Sequence, residues 1–334
     1  MIISKTPMRL SFVGGGSDLP SYYRRNGGAV LSTSIDKFVY VTVNSRFEPG
    51  IRLSYSKTEI VDSFADIEHV LVKATLGKLG VHDGIEITSI ADIPSRGSGM
   101  GSSSSFTVGL LHAVSAYLGQ YRSKIELGRE ACEVELELCK EPIGKQDQYA
   151  AAVGGMNIIE FHADDSVSVL PVVAPSNVIE QVEDDLLMFY VGGVRSASAI
   201  LKQQSEDVDA SISKQQALDR MVELVYVLRD ELASGNADSL GEILHENWEL
   251  KRQLTGGVSN GFIDETYQAA RVAGATGGKL LGAGGGGFMV FSVPSEKREA
   301  VTEKLSHLRR VPLRFDRGGS SIVFYQPVHS SLSK

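Results

Sequence analysis

Cysteine is almost missing from this chain: Cys132 and Cys139 are the two thiols in 334 residues. They lie in a segment patterned as a helix, about 10 Å apart along its axis. That is too far for an unstrained disulfide. With no second cluster of Cys and His, they read as core thiols in a reducing compartment. Basic runs are missing as well. Lysine and arginine total 33 against 41 acids, a formal charge of −8. Nucleic acid and anionic membranes both require a basic footprint, so neither is expected as a partner. No apolar run reaches membrane-spanning length. Met1-Ile2-Ile3-Ser4-Lys5 lacks the charged-then-apolar pattern of a secretory leader. The expectation is a soluble cytoplasmic protein of open oligomeric state. There is no internal repeat and no low-complexity segment.

What the chain does have is glycine, 35 residues of it, concentrated in a few places. Residues 36–47, 51–55 and 85–90 carry the β-branched and alternating patterns of strands, and a short helix fits 66–79. The cluster Gly14-Gly15-Gly16-Ser17-Asp18 interrupts this region. From 102 to about 118, Phe106, Leu110, Ala113, Val114 and Tyr117 recur at helical spacing. A second helix opens at Ser123, where Ser123 and Glu126 form a capping-box pattern, and runs to about Lys140. Residues 186–191 read as a buried strand. Helical patterns follow over 197–233, 238–254 and 262–273. A glycine-dense stretch, 274–287, leads into the strand 288–291, and strand signals at 311–316 and 321–326 close the chain. The irregular region 165–183 divides two domains, set at 1–175 and 176–334. The fold class is α+β.

Residues 93–105, IPSRGSGMGSSSS, run straight into a helix. Glycines 97, 99 and 101 let the backbone turn its amides inward. The helix behind adds free N–H groups and the positive end of its dipole. Serine hydroxyls supply further donors, or an oxygen ligand for Mg²⁺. A flexible Gly/Ser linker is the bland alternative, but linkers do not usually cap a patterned helix. No Gly-Lys-Ser/Thr ends the loop, so it is not a Walker A motif. Gly282 to Gly287 matches the dinucleotide glycine pattern, yet it precedes a strand rather than a helix. A Rossmann reading therefore fails. Close backbone approach to another loop or a ligand explains these glycines better.

Two acids stand out. At 100° per residue, Glu126, Glu130, Glu133 and Glu137 share one face of the second helix. Glu135 falls opposite, among Gly128, Ala131, Cys132, Leu138 and Cys139. A carboxylate facing a core needs a partner. Either an ion pair or a Mg²⁺ ion near the phosphate loop meets that need. Asp147 follows the Pro142–Gly144 turn. It is either a turn cap or an acceptor for a substrate hydroxyl proton, with Lys145 as its electrostatic partner.

Three segments in this order resemble the GHMP kinase superfamily, named for galactokinase, homoserine kinase, mevalonate kinase and phosphomevalonate kinase. They are Pro7 to Phe12 with Gly14 to Asp18, Ile93 to Ser104, and Gly278 to Phe288. The resemblance implies an N-terminal domain similar to domain 2 of ribosomal protein S5 and a ferredoxin-like C-terminal domain, with ATP and substrate between them. It implies ATP phosphates over Gly97, Ser98, Gly99, Met100, Gly101, Ser102, Ser103 and Ser104. Mg²⁺ is expected at Ser103 and Glu135. Asp147 is expected as the acid at the acceptor hydroxyl, and Arg9, with Lys145, beside the transferring phosphoryl group. Gly16, Ser17 and Asp18 of the first motif and Gly284 and Gly285 of the third are expected at the acceptor. Galactokinases carry a Glu-His before this region's Thr-Asp where this chain has Gly-Gly-Gly-Ser-Asp, which argues against galactose. GGGSDLP, GGAVLSTSIDKFVYV, GSGMGSSSSFTVGLL and GKQDQYAA look like the D-glycero-D-manno-heptose 7-phosphate kinases. These phosphorylate the C1 hydroxyl in nucleotide-activated heptose synthesis for surface polysaccharide. A fucokinase-like or mevalonate-type kinase, and a non-catalytic sensor, are the alternatives. A substrate already bearing a phosphate needs a cationic pocket. Arg195 is the first candidate, with Arg24, Arg25 and Lys37 behind it.

Overall fold

The computed structural model describes residues 1–93, 97–193 and 197–326. Two long strands, β1 (Ile2–Val13) and β2 (Gly28–Ser45), form its spine and pair antiparallel. The glycine turn and a short helix, α1 (Pro20–Asn26), join them. Next come β3 (Ile51–Ser54), β4 (Thr58–Val61), α2 (Val70–Leu79), β5 (Ile85–Ala91) and α3 (Ser102–Tyr117). Helix α4 (Lys124–Cys132) opens with the expected capping box, then continues as a π-helical segment, Glu133–Leu138. Helix α5 (Gln146–Val153) and strands β6 (Met156–Phe161) and β7 (Val167–Pro171) complete the first unit.

Strand β2 changes partner halfway. Its first part, Gly28–Thr33, pairs with β6, and its last part, Val39–Ser45, pairs with β5. Between these partners, Ser34 and Ile35 of β2 pair with Asp316 and Phe315 near the end of the chain, and Arg9 on β1 sits opposite Ser34. The Arg9 backbone amide donates to the Met100 carbonyl at 3.1 Å, so β1 runs directly against the phosphate-loop segment that leaves β5.

The second unit holds α6 (Ser176–Asp185), β8 (Leu186–Gly192), α7 (Ala197–Asp209), α8 (Ile212–Ser234), α9 (Leu240–Leu254), α10 (Gly261–Ala273), β9 (Gly277–Leu280), β10 (Gly287–Ser292), α11 (Arg298–Lys304) and β11 (Arg309–Val311). Its sheet runs β11-β8-β10-β9 with every pair antiparallel. Fourth, first, third, second is the strand order of a ferredoxin-like sheet. The chain does not end in this unit. Strands β12 (Phe315–Asp316) and β13 (Ser321–Tyr325) return to pair with β2 and β1. The expected boundary of 176–334 is corrected here, because the last strands belong to the first sheet. The stretch 165–183 is also more ordered than expected, since it holds β7 and most of α6.

One apolar core crosses both units. Met8, Leu10 and Val41 of the first sheet cluster with Met188 and Val290 of the second, with Leu281 just after β9, and with Leu224 and Leu244 of α8 and α9. Both cysteines are free. Cys132 is buried as expected, but Cys139 is only partly so. Among the described residues no helix is long and apolar enough to cross a membrane.

Candidate active site

A cleft of about 660 Å³ opens where the two units meet. Its floor is the loop Gly97–Gly101 and the first turn of α3, whose Ser102, Ser103 and Ser104 all line it. An α-helix leaves its first amides without intrahelical partners, and here that end faces the cleft. Gly97, Gly99 and Gly101 all adopt positive φ, near 70°. At Gly99 a second constraint applies. A Cβ there would lie 2.3 Å from the Leu281 carbonyl oxygen, and one on Gly282 would lie 2.4 Å from Gly99 Cα. The glycine loop before β10 thus packs backbone to backbone on the phosphate loop, as its composition suggested.

Glu135 is 1% exposed and faces α3. Its carboxyl accepts hydrogen bonds from Ser104 Oγ (2.7 Å), Thr107 Oγ1 (2.9 Å) and Gln148 Nε2 (2.5 Å), with Ser103 Oγ at 3.4 Å. Burial pushes its pKa up to about 7, against the pull of these donors. No ion pair with Arg or Lys holds it among the described residues. The four-acid face expected on this helix does not survive whole. Glu130 is buried and ion-paired to Arg122 at 2.9 Å. Leu138, expected inside, is half-exposed. A π-helical segment has wider turns than an α-helix, so the phase of the pattern slips beyond Cys132.

Asp147 lies in the first turn of α5. Arg9 grips it through Nε at 2.7 Å and Nη2 at 2.7 Å, while Arg9 Nη1 donates to the Gly99 carbonyl at 2.7 Å. One buried guanidinium therefore ties the acid to the phosphate loop. Asp18, 4% exposed, accepts from the Gly16 amide (3.0 Å) and the Gln146 amide (3.3 Å). Burial, then the charge of Asp147, raises its pKa. Gly144 allows this contact, because a Cβ there would meet Asp18 Oδ2 at 1.9 Å.

Two further cations line the cleft, and sequence reasoning missed both. Lys251 on α9 is 6% exposed and its ammonium donates to the Gly282 carbonyl. Lys279 on β9 is 1% exposed and donates to the Phe12 carbonyl at 2.8 Å. Burial lowers the Lys251 pKa to about 8, with Arg9 adding to the effect, and it drives Lys279 well below the usual range. The cleft thus gathers three buried basic side chains, the carboxyl groups of Asp18, Glu135 and Asp147, and a helix N-terminus in one space. That set suits transfer of a polyanionic group between two bound molecules.

Comparison with known proteins settles the family. The model for the GHMP kinases N terminal domain matches residues 53–155, and that for GHMP kinases C terminal matches residues 228–309. The chain belongs to the GHMP kinases. It is 28% identical to the D-glycero-alpha-D-manno-heptose 7-phosphate kinase of Campylobacter jejuni over 91% of this chain and 93% of that one. It is 30% identical to the mevalonate kinase of Pyrococcus furiosus over 76% of each. The crystal structure of a D-glycero-D-manno-heptose 1-phosphate kinase from Bacteroides thetaiotaomicron superposes with a TM-score of 0.80 at 26% identity, covering 98% of this chain and all of that one. The protein is an ATP-dependent kinase with the two-domain GHMP fold.

Within this GHMP fold the expected residues separate into two groups. Arg9, Gly16, Asp18, Gly97 to Gly99, Gly101 to Ser104, Glu135 and Asp147 share the cleft. Lys145 does not. It turns to the Asp165 carbonyl (3.0 Å) and carboxylate (3.3 Å), over the Tyr23 ring. Ser17 exchanges hydrogen bonds with the Ala29 backbone and faces inward. Met100 is fully buried. Gly284 packs on Val258, and Gly285 donates to the Val258 carbonyl, so Gly282 and Ala283 take their place at the cleft. Arg24, Arg25 and Lys37 are paired to Asp165, Asp209 and Asp36, away from the cleft. Arg195 lies outside the described residues.

Proposed function

We propose that this kinase transfers the γ-phosphoryl group of ATP to the C1 hydroxyl of D-glycero-D-manno-heptose 7-phosphate. The observation that carries the chemistry is the Asp147–Arg9–Gly99 connection. It holds a carboxylate beside the phosphate loop and a cation between them. In this reading the Gly97–Ser104 backbone and hydroxyls bind the ATP phosphates. Asp147 accepts the proton as the sugar oxygen attacks the γ-phosphorus, and ADP departs. Arg9, Lys251 and Lys279 offset the charge on the transferring group. Positioning and electrostatics carry most of the rate in phosphoryl transfer. Ser103 and Glu135 suit Mg²⁺. They offer hard oxygen donors and one carboxylate, the sparse protein set this ion takes when phosphates and water complete its shell. When bound there it neutralises phosphate charge.

The acceptor reading is supported by the name of the Campylobacter relative, which the chain matches almost end to end. The Bacteroides protein's name puts a phosphate at position 1 instead, so the position of the new phosphate is the point to measure. The test is ADP release with Mg²⁺ on D-glycero-D-manno-heptose 7-phosphate, the unphosphorylated heptose, heptose 1-phosphate, L-fucose and (R)-mevalonate. Phosphorus NMR then locates the new ester. Turnover of the 7-phosphate with a new anomeric phosphate is expected. Preference for heptose 1-phosphate, L-fucose or mevalonate would overturn the acceptor assignment and leave the kinase intact.

A further inference from the structure

Buried polar atoms in folded proteins are nearly always hydrogen-bonded. Four that are not converge on one wall of the cleft: Ser11 Oγ, Gln146 Oε1, and both Nε2 and Oε1 of Gln204. Gln204 is 1% exposed on α7, and Ser11 is 6% exposed on β1. All three surround the glycine turn. A Cβ on Gly16 would lie 2.5 Å from Gln204 Nε2, and one on Gly15 would lie 3.6 Å from Ser11 Oγ and 3.9 Å from Gln146 Nε2. The Gln146 side-chain NH₂ is already spent on Asp18, as is its backbone N–H. Side chains from β1, α5 and α7 thus present an acceptor, a donor-acceptor amide and a hydroxyl to the same space. Each group can both give and take a hydrogen bond, or take one. Adjacent sugar hydroxyls match that set. A carboxylate or a phosphate does not, because it supplies no donor and would sit against Asp18.

Resting on the reading that this cleft takes a sugar, we propose that Ser11, Gln146 and Gln204 form a polyol-reading wall, with the Gln204 amide pairing two neighbouring secondary hydroxyls of the acceptor. The wall selects a polyhydroxylated ring over a short carboxylate-bearing alcohol. It also directs any phosphate already on the sugar to another part of the cleft.

Gln204→Leu tests this, with Gln204→Met as a second variant should leucine misfold. Leucine removes the unpaired amide in a spot already bordered by Leu218. The ligand-free variant is expected to melt above the wild type, because an amide held for a ligand is unsatisfied without one. Its sugar KM is expected to rise about tenfold or more, with the ATP KM within about twofold. Thermal protection is read in parallel with heptose 7-phosphate, L-fucose and (R)-mevalonate. Protection of the wild type by either sugar, lost in the variant, supports the wall. It does so even if the protected sugar is L-fucose, an outcome that sinks the heptose assignment alone. A variant that melts lower with unchanged sugar KM would assign Gln204 a structural role and overturn the proposal. Protection of the wild type by mevalonate but by neither sugar would overturn it as well.

Discussion

Glu135 occupies a place that suits its neutral form while the protein is alone. Its pKa in the fold is about 7, against 4.5 for the ordinary side chain. The folded state therefore holds a proton that the unfolded chain has released between those pH values. The stability from this group is complete below pH 4.5 and is lost as pH rises through 7, on the order of 3 kcal/mol. Glu135→Gln should remove that slope and raise the melting temperature at pH 8. Gln148 Oε1, which has no partner, can rotate to accept from the new amide. The same variant should lose most Mg²⁺-dependent turnover, so stability and activity are expected to move in opposite directions. A variant less stable at pH 8 would contradict the account. Lys251 carries the opposite sign. Its pKa is about 8 in the fold against 10.5 ordinarily, so it loses its charge as pH rises through 8. The groups facing it are Arg9, Asp18, Asp147 and Lys279. A falling limb in kcat above about pH 8 is expected, and Lys251→Met should flatten it at a lower rate. For Asp147→Asn, ATP binding should persist while turnover falls about 10²- to 10⁴-fold, the usual range for a lost general base. Near-normal turnover would remove Asp147 from that role.

The phosphate loop shows what a backbone contact contributes at the level of an element. Gly99→Ala forces a left-handed residue and drives its Cβ into the Leu281 carbonyl. Together these should cost about 2–4 kcal/mol in urea unfolding and raise the ATP KM. Gly80→Ala is the control. Gly80 also has positive φ, but nothing lies within 4 Å of its Cβ position, so it should cost about 1–2 kcal/mol with ATP KM unmoved. Equal effects on ATP KM would mean that the loop-to-loop contact does not shape the site. This contact was legible in sequence, since glycine density before a strand had already argued for close approach. So were the capping box at Ser123 and the buried acid at Glu135. Strand β1 was not legible. Its last eight residues are all buried and so lack alternation, and they include Pro7 and Arg9. Helix α5 has only eight residues behind Pro142 and Gly144, so it read as a turn. Lys251 looks like an ordinary cation in the last turn of a helix, and Lys279 looks like a solvated strand residue. Their burial comes from carbonyls 31 and 267 positions away, which no local pattern reports.

For the molecule as a whole, the question is whether the two units fold as one. Two domains with separate cores would melt in separate steps. Here a single apolar cluster takes in Met8 and Val41 on one side and Met188 and Val290 on the other. Polar ties cross the same boundary. Lys279 bonds Phe12, and the Gly14 amide donates to Asn247 Oδ1 at 3.2 Å. The chain itself crosses back, because β12 and β13 complete the first sheet after the second is built. The first unit is therefore not a continuous sequence segment, and the second is inserted within it. Calorimetry of the full chain should show one transition, with calorimetric and van't Hoff enthalpies equal. ATP with Mg²⁺ should shift the whole transition upward by mass action, by about 2.7 kcal/mol at a hundred times Kd. Two resolved transitions, with only the first moved by nucleotide, would show that the shared core does not couple the units. In that case the cleft would be shaped by docking of independent domains rather than by a common fold.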